Sequence, residues 1–373
     1  MAVDSFAMFL NGHSVTLSPD QIERELSSLW KPVSGGDGGT NSVSRVVLGN
    51  VICIAAAAHM DRLRAVIQKV VPVYPCRLFL LEYQPDETGA SIQAAVNAQC
   101  FVPKKNEVPV CCEVIHMTFG PNGAKHLHGC VAPLLIADLQ TILWSSLGDV
   151  ELKQATELEK YCDRILFQAS MSSRPSLLLR RMVESSLSEF DLSWFRMRPV
   201  REQMAAFFDD PANSFQLSRI RRVEISAFTN DATGSLAEIV GAMIVGWLAA
   251  KLRWKPAPAG GNGSCSYLSA DGPVEITLKT PQQDHANCGT LDTIRLFDDE
   301  GQTVEVSLHS GSGAKAMSLC CSRAGKQTYH RNISLSENDE ADAVGIALNT
   351  PSRVFYFRET AELAIPLLEH FGK

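Results

Sequence analysis

A strand–helix–strand pattern is the feature that most constrains the fold of this chain. Residues 45–54 read R-V-V-L-G-N-V-I-C-I, a strand or strand pair interrupted at a Gly-Asn step. Residues 57–71 carry apolar side chains at helical spacing, and residues 77–83, R-L-F-L-L-E-Y, form a strongly apolar strand. Two strands joined by a crossover helix run parallel, with a right-handed connection. The pattern therefore predicts an α/β fold.

Length and linker composition predict two domains, because 373 residues exceed what one core usually organises. A short helix is expected at 18–30, followed by the Gly-rich segment 35–40. We expect residues 1–40 to form a helical arm and linker, and 41–172 to form an α/β domain with a mixed sheet. Residues 173–373 are predicted to form an α+β domain with antiparallel strands.

The remaining elements follow from apolar periodicity and turn residues. Strands are expected at 91–102, 110–119, 141–144, from Arg164, and at 221–228, with a hairpin at 293–308. Helices are expected at 122–136, 157–163, 175–187, 191–208, 234–252 and from 336 to 344. We expect Pro199 to separate or kink the helical segment 191–208.

Composition excludes several classes of protein. The net charge of −7 disfavours binding to nucleic acids, which needs a basic surface. It also disfavours binding to anionic membranes, which repel an acidic protein. The N-terminus lacks the basic residues of a signal peptide, and the apolar stretch 239–252 is too short to span a bilayer. We therefore expect a soluble cytoplasmic protein. Its eleven cysteines, an odd count scattered through apolar segments, are expected to be reduced thiols.

Searches for cofactor and metal motifs are negative. Neither F-G-P-N-G-A-K (119–125) nor G-S-G-A-K (311–315) has the spacing or context of a phosphate loop, and the first crossover lacks a Gly-rich turn. The densest group of possible metal ligands comprises Cys111, Cys112, His116, His126, His128 and Cys130. On a strand, however, adjacent cysteines point to opposite faces, and no C-x₂-C clip is present. We expect no cofactor and no metal.

Two groups of cysteines remain candidates for a chemical role. His285 precedes Cys288 by three residues in a predicted loop, which admits a cysteine-dependent enzyme if the imidazole reaches the thiol. Cys320 and Cys321 lie near basic residues that favour thiolate formation, so we note them as possible redox residues. The basic run R-I-R-R (219–222) is interpreted as a solvated strand entry, or alternatively as a surface for an acidic partner.

An ordered set of segments resembles the OpcA family, the glucose-6-phosphate dehydrogenase assembly proteins of cyanobacteria, actinobacteria and some other bacteria. The matching segments are Y-P-C-R-L-F-L-L (74–81), V-C-C-E-V-I (110–115), P-L-L-I-A-D-L-Q-T-I-L-W (133–144), C-D-R-I-L-F-Q-A-S (162–170), D-L-S-W-F-R-M-R-P-V-R-E (191–202), G-W-L-A-A-K-L-R-W (246–254) and A-G-K-Q-T-Y-H-R-N-I-S-L-S (324–336). The chain departs from the family around 141–144, where a proline and a second tryptophan are usual.

The resemblance implies a non-catalytic protein that binds glucose-6-phosphate dehydrogenase, favours its active oligomer and strengthens its response to substrate in the oxidative pentose phosphate pathway. Five residues within the matching segments are candidate partner contacts: Trp144, Arg164, Trp194, Arg196 and Arg198. Cys111, Cys112 and Glu113 are interpreted as a structural signature in a strand packed on both faces. The alternatives are the Cys288/His285 enzyme and a small-metabolite sensor with a polar pocket at the strand C-termini.

Overall fold

The computed structural model describes most of the chain. The described residues are 8–10, 19–30, 44–101, 110–147, 156–213, 215–228, 235–257, 265–282, 291–311, 314–335, 340–350 and 356–371. The chain divides into two compact units. The first comprises Met1–Gln168, Leu187–Glu189 and Val344–Ser352, and the second comprises Ala169–Ser186, Phe190–Ala343 and Arg353–Lys373.

The first unit is built on a mixed sheet of nine strands. The strands are β1 (Met8–Leu10), β2 (Ser44–Arg45), β3 (Asn50–Ala56), β4 (Arg77–Tyr83), β5 (Ile92–Phe101), β6 (Val110–Phe119), β7 (Thr141–Ser146), β8 (Arg164–Phe167) and β9 (Ser188–Asp191). Their order is β1-β5-β6-β4-β3-β7-β8-β9, with β2 beside β6. Strands β3, β4, β6, β7 and β8 run parallel to their neighbours in this core, whereas β5 is antiparallel to β6.

The predicted strand–helix–strand unit is confirmed. Helix α2 (Met60–Val70) connects β3 to β4, and these strands pair in parallel from Asn50–Arg77 to Ala56–Tyr83. Residues 57–59 form a 3₁₀ turn before α2, so the α-helix begins later than its apolar spacing predicts. The central strands β3, β4 and β7 are mostly buried and mostly apolar, as is typical of a parallel sheet.

The other helices fall close to their predicted positions, except the last, Phe357–Phe371, which is not among the predicted helices. They are α1 (Pro19–Leu29), α3 (Ala124–Val131), α4 (Thr156–Glu159), α5 (Pro175–Glu184), α6 (Leu192–Arg196), α7 (Arg198–Phe208), α8 (Ser235–Leu252), α9 (Glu340–Asn349) and α10 (Phe357–Phe371). The predicted break near Pro199 is present, since α6 and α7 meet at Met197 and Pro199 occupies the first turn of α7. No described helix has the combined length and hydropathy that crossing a bilayer requires.

The second unit contains an eight-stranded sheet. Its strands are β10 (Ile220–Ala227), β11 (Lys255–Pro256), β12 (Cys265–Ser269), β13 (Gly272–Lys279), β14 (Leu291–Asp298), β15 (Gln302–Gly311), β16 (Ala314–Arg323) and β17 (Lys326–Leu335), in the order β11-β12-β13-β10-β14-β15-β16-β17. All neighbours are antiparallel except β10 and β13. The predicted hairpin is confirmed by the β14–β15 pairing.

The packing of α8 explains why its residues are apolar on all sides of the helix. A Cβ added at Gly241 would lie 2.3 Å from Leu278 Cδ1 on β13, and one added at Gly246 would lie 2.3 Å from the Thr360 carbonyl oxygen on α10. The helix is therefore packed against the sheet on one side and against α10 on another. A helix that is hydrophobic all round is a buried helix.

The predicted domain boundaries at 40 and 172 remain predictions. The α/β class with two domains and mixed sheets, by contrast, is confirmed by the two units and their strand orders.

Candidate functional site

Two of the predicted partner contacts lie inside the first unit. Trp144 on β7 and Arg164 on β8 are each 1% exposed. Arg164 donates from Nη1 to the carbonyl oxygen of Ala347 at 2.7 Å, and burial lowers the pKa of its guanidinium. A partner cannot reach either side chain in this conformation, and their place in the structure is that of core residues.

Trp194 is also buried, whereas the two neighbouring arginines reach the surface. Arg201 lies over the Trp194 ring at 3.4 Å and donates to the Trp194 carbonyl oxygen at 2.6 Å. Arg196 is 3.6 Å from Glu340, and Arg198 pairs with Glu202 at 2.7 Å, with about half of its side chain exposed. Arg196 and Arg198 are thus the accessible members of the predicted contact set.

Glu113, in the predicted signature segment, is the centre of a buried polar cluster. Its Oε2 accepts from Arg77 Nε at 2.7 Å, and its Oε1 accepts from Trp30 Nε1 at 2.9 Å and lies 2.7 Å from Arg45 Nη2. The Glu113 side chain is 1% exposed. One carboxylate therefore joins β2, β4 and β6 to Trp30, the residue that follows α1. A buried charge is retained only where such partners surround it.

The two adjacent cysteines of the signature segment, Cys111 and Cys112, differ in their bonding. Cys111 forms a disulfide with Cys100, the residue opposite it on β5. The expectation of reduced thiols throughout is therefore wrong for this pair. The antiparallel register places their Cα atoms 4.0 Å apart, although 11 positions separate the two residues in the sequence. Their spacing along the chain does not predict this proximity. Cys112 points to the other face, is buried beside Cys76, and has its pKa raised to about 12 by that burial.

The remaining cysteine hypotheses stay predictions. Cys320 is partly exposed, whereas Cys321 is fully buried on the opposite face of β16, so the two sulfurs do not face each other. Among the described residues, no group of three or more His, Cys, Asp and Glu side chains is arranged to hold a metal ion. His285 and Cys288 lie outside the described residues.

Polar side chains gather toward the carboxyl ends of the parallel strands in the first unit. His116 Nε2 is 2.9 Å from Glu82 Oε2, and Arg62 donates from Nη2 to Ser146 Oγ at 3.1 Å and to Gln168 Oε1 at 3.2 Å. This edge is where α/β sheets bind small ligands. These groups bond to one another, so their presence does not by itself favour the metabolite-sensor alternative, which stays a prediction.

The basic run at 219–222 is paired within the chain. Arg219 contacts both Asp299 and Glu300 in the β14–β15 turn, with Nε 2.7 Å from Asp299 Oδ1, and Arg221 lies 3.0 Å from Asp299 Oδ2. Arg222 stacks over Phe297 at 3.9 Å. Because the turn neutralises these arginines, the structure favours the strand-entry interpretation over a surface for an acidic partner.

One face of the second sheet carries polar side chains. Its exposed or half-buried residues alternate with the buried ones along β10, β14, β15 and β16. Arg295 pairs with Glu305 across β14 and β15 at 2.6 Å, and Ser318 Oγ is 3.1 Å from His330 Nε2 across β16 and β17. Sequence alternation marks the buried positions but not the partners across the strands.

Two family models match the chain in sequence order. Residues 68–184 match the N-terminal domain of a glucose-6-phosphate dehydrogenase subunit, and residues 188–361 match the C-terminal domain of the same subunit. The chain belongs to the OpcA family. Together the two matches cover most of the chain and most of both sheets.

Curated relatives agree with this membership. The chain is 26% identical over 208 residues to a putative OxPP cycle protein OpcA of Nostoc punctiforme, covering 54% of this chain and 42% of the relative. It is 25% identical over 187 residues to the protein of the same name from Synechocystis, covering 49% of this chain and 38% of the relative. The chain thus matches less than half the length of these OpcA proteins.

Proposed function

We propose that this chain binds glucose-6-phosphate dehydrogenase and acts as a non-catalytic assembly factor and allosteric activator in the oxidative pentose phosphate pathway. The observation that carries the proposal is the pair of family matches, at 68–184 and 188–361, to the two domains of a dehydrogenase subunit. The names of the cyanobacterial relatives, OxPP cycle protein OpcA, support the same pathway.

Activation in this form requires a preference for one state of the enzyme. A protein that binds the active dehydrogenase and the inactive dehydrogenase equally well shifts nothing, however tightly it binds. A coupling of about 1–3 kcal/mol, typical of allosteric effectors, would change the apparent substrate affinity by roughly 5- to 150-fold. Such coupling needs a stable folded surface and no nucleophile.

The test is to titrate the purified cognate dehydrogenase with the full chain. We expect a complex by light scattering coupled to gel filtration, and a lower half-saturating concentration of glucose 6-phosphate. An unrelated acidic protein of similar mass, at the same concentration, is the control. If the chain neither forms a complex nor changes the substrate response, the proposal is wrong. Turnover by the chain alone, without the dehydrogenase, would refute its non-catalytic part.

A further inference from the structure

The outer strand of the second sheet, β17, is long and exposed. It ends the sheet, pairs on one side with β16, and seven of its ten residues are exposed. Within the described residues, no element pairs with its other side. The opposite edge of the same sheet is β11, only two residues long and containing Pro256. Short edge strands and proline protect a sheet against added strands, and β17 has neither; its β-bulge and Lys326 lie near the turn, away from the segment 330–334.

The hairpin that precedes β17 determines which way its backbone groups point. Ala324 and Gly325 both have positive φ, 51° and 74°, so Arg323 and Lys326 close a two-residue turn of the primed type. The residues that close such a turn exchange hydrogen bonds with each other. The backbone N–H and C=O of Arg323 therefore point toward β17, and those of every second residue along β16 do the same. The β-bulge between Ser322 and Cys321 keeps this alternation along β16, because its extra residue, Thr328, lies on β17.

This alternation leaves a row of unpaired backbone groups on the far side of β17. Leu319 on β16 pairs with Arg331, and the two exchange hydrogen bonds by the alternation. The residues between the bonded positions, His330, Asn332 and Ser334, direct their N–H and C=O groups away from β16. All three residues are exposed. An extended segment can therefore add to this edge by main-chain hydrogen bonds.

The charge of β17 selects the kind of segment that fits. The strand reads K-Q-T-Y-H-R-N-I-S-L and contains Lys326, His330 and Arg331 but no acidic residue. The chain as a whole has a net charge of −7, so this strand is a basic strip on an acidic protein. A second copy would bring two basic strands together, and like charges on facing strands are destabilising. An acidic segment would instead place negative charges beside these basic residues, and opposite charges on facing strands attract each other.

We propose that the free edge of β17 is the docking site for an extended acidic segment of the partner protein, which pairs with the backbone of His330, Asn332 and Ser334. Lys326 and Arg331 contribute electrostatic attraction to its side chains. The inference rests on the proposed function, since it names the surface through which the chain contacts the dehydrogenase. Main-chain pairing would supply affinity, and the charges would supply selectivity and a faster association rate.

The decisive variant is Asn332→Pro. Proline removes one outward N–H without removing a bond to β16, and proline is tolerated on an edge strand in this orientation. We expect it to weaken binding to the cognate dehydrogenase by at least about tenfold, because strand addition is interrupted at its centre. Asn332→Ala keeps the N–H and is the matched control, expected to stay within about twofold. Circular dichroism and the urea midpoint verify that both variants fold.

A second pair of variants tests the charge argument independently of proline. Lys326→Glu combined with Arg331→Glu should weaken binding by about tenfold or more, and wild-type binding should weaken as salt is raised. Lys125→Glu, on the exposed side of α3, makes the same kind of charge change elsewhere and should leave affinity unchanged. Hydrogen exchange of the wild-type chain should slow in the segment 326–335 when the dehydrogenase is bound.

The outcomes separate this inference from the proposed function. If wild type binds the dehydrogenase but neither set of variants weakens binding, or exchange in 326–335 is unchanged, the docking site is wrong while the proposed function stands. If wild type forms no complex, both fail. If light scattering shows a dimer of the chain that Asn332→Pro dissolves, the edge is occupied by a second copy and the acidic-segment inference is overturned.

Discussion

Arg77 donates from Nε to Glu113 Oε2 at 2.7 Å, and the two side chains are 4% and 1% exposed. They lie on neighbouring parallel strands, one position before the pair Leu78–Val114. Arg77 also donates to the carbonyl oxygen of Leu134 at 2.6 Å. This ion pair lies in the core of the first unit, and Arg77 Nη1 also lies 3.4 Å from Glu23 Oε2.

We predict that Glu113→Gln destabilises the chain by about 3–5 kcal/mol, because it removes the buried counter-charge of Arg77 and leaves only the half-exposed Glu23 carboxylate, 3.4 Å from Arg77 Nη1. The free energy of unfolding from urea titration measures the effect. Glu275→Gln, on an exposed position of β13, is the control and should change stability by less than about 0.5 kcal/mol. Equal stabilities of the two variants would contradict the role assigned to Glu113.

Two helical glycines make a matched pair with opposite expected signs. Gly246→Ala places a Cβ 2.3 Å from the Thr360 carbonyl oxygen and 3.1 Å from Ala364 Cβ, so it should destabilise by about 1–3 kcal/mol through overpacking. Gly129→Ala, in the exposed part of α3, meets nothing within 4 Å and should stabilise by about 0.5–1 kcal/mol. Thermal unfolding of both variants measures the signs. A stabilising Gly246→Ala would refute the close packing of α8 against α10.

Thiol labelling should separate the cysteines by burial. Because burial raises the pKa of Cys112 to about 12, almost none of it is thiolate near neutral pH. We expect N-ethylmaleimide to label the partly exposed Cys320 in the native chain and to leave Cys112 unlabelled until urea is added. Peptide mass spectrometry without reductant should recover Cys100 and Cys111 as a linked pair. Native labelling of Cys112 or Cys111 would contradict this arrangement.

The ion pairs of the β14–β15 turn should make the free energy of unfolding depend on pH in the acidic range. Arg219 donates a hydrogen bond to Asp299 and lowers its pKa below the ordinary value of about 3.9. A carboxylate with a lowered pKa adds stability above its unfolded pKa and loses it as pH falls through the folded pKa. Asp299→Asn should therefore be less stable than wild type near neutral pH, and the difference should shrink toward about pH 3.

Urea midpoints at the two pH values measure this dependence. Asp271→Asn, an exposed aspartate in the turn between β12 and β13, is the control for a general loss of negative charge. If Asp271→Asn and Asp299→Asn show the same pH dependence, the Arg219 hydrogen bond does not carry the effect.

Element positions could be predicted well because they depend on local spacing. Strand β6 begins and ends where alternation predicts, at Val110 and Phe119, and Arg164 begins β8 as expected. The partner contacts could not be predicted in the same way. Trp144 and Trp194 carry residue types favoured at interfaces, but the same types favour burial, and only packing decides between the two.

The sequence by itself determined the α/β class, the order of most elements and, through ordered motifs, the family. These properties follow from periodicity, turn residues and matching segments, all of which are local in the chain. The tertiary structure decided which groups meet. Trp30 bonds to Glu113 across 83 residues, and Arg219 meets Asp299 across 80. Such pairs depend on how strands are ordered in a sheet, and nothing in the local spacing specifies that order. The exposed basic edge of β17 is likewise a consequence of strand order, because a strand is an edge only when no neighbour follows it.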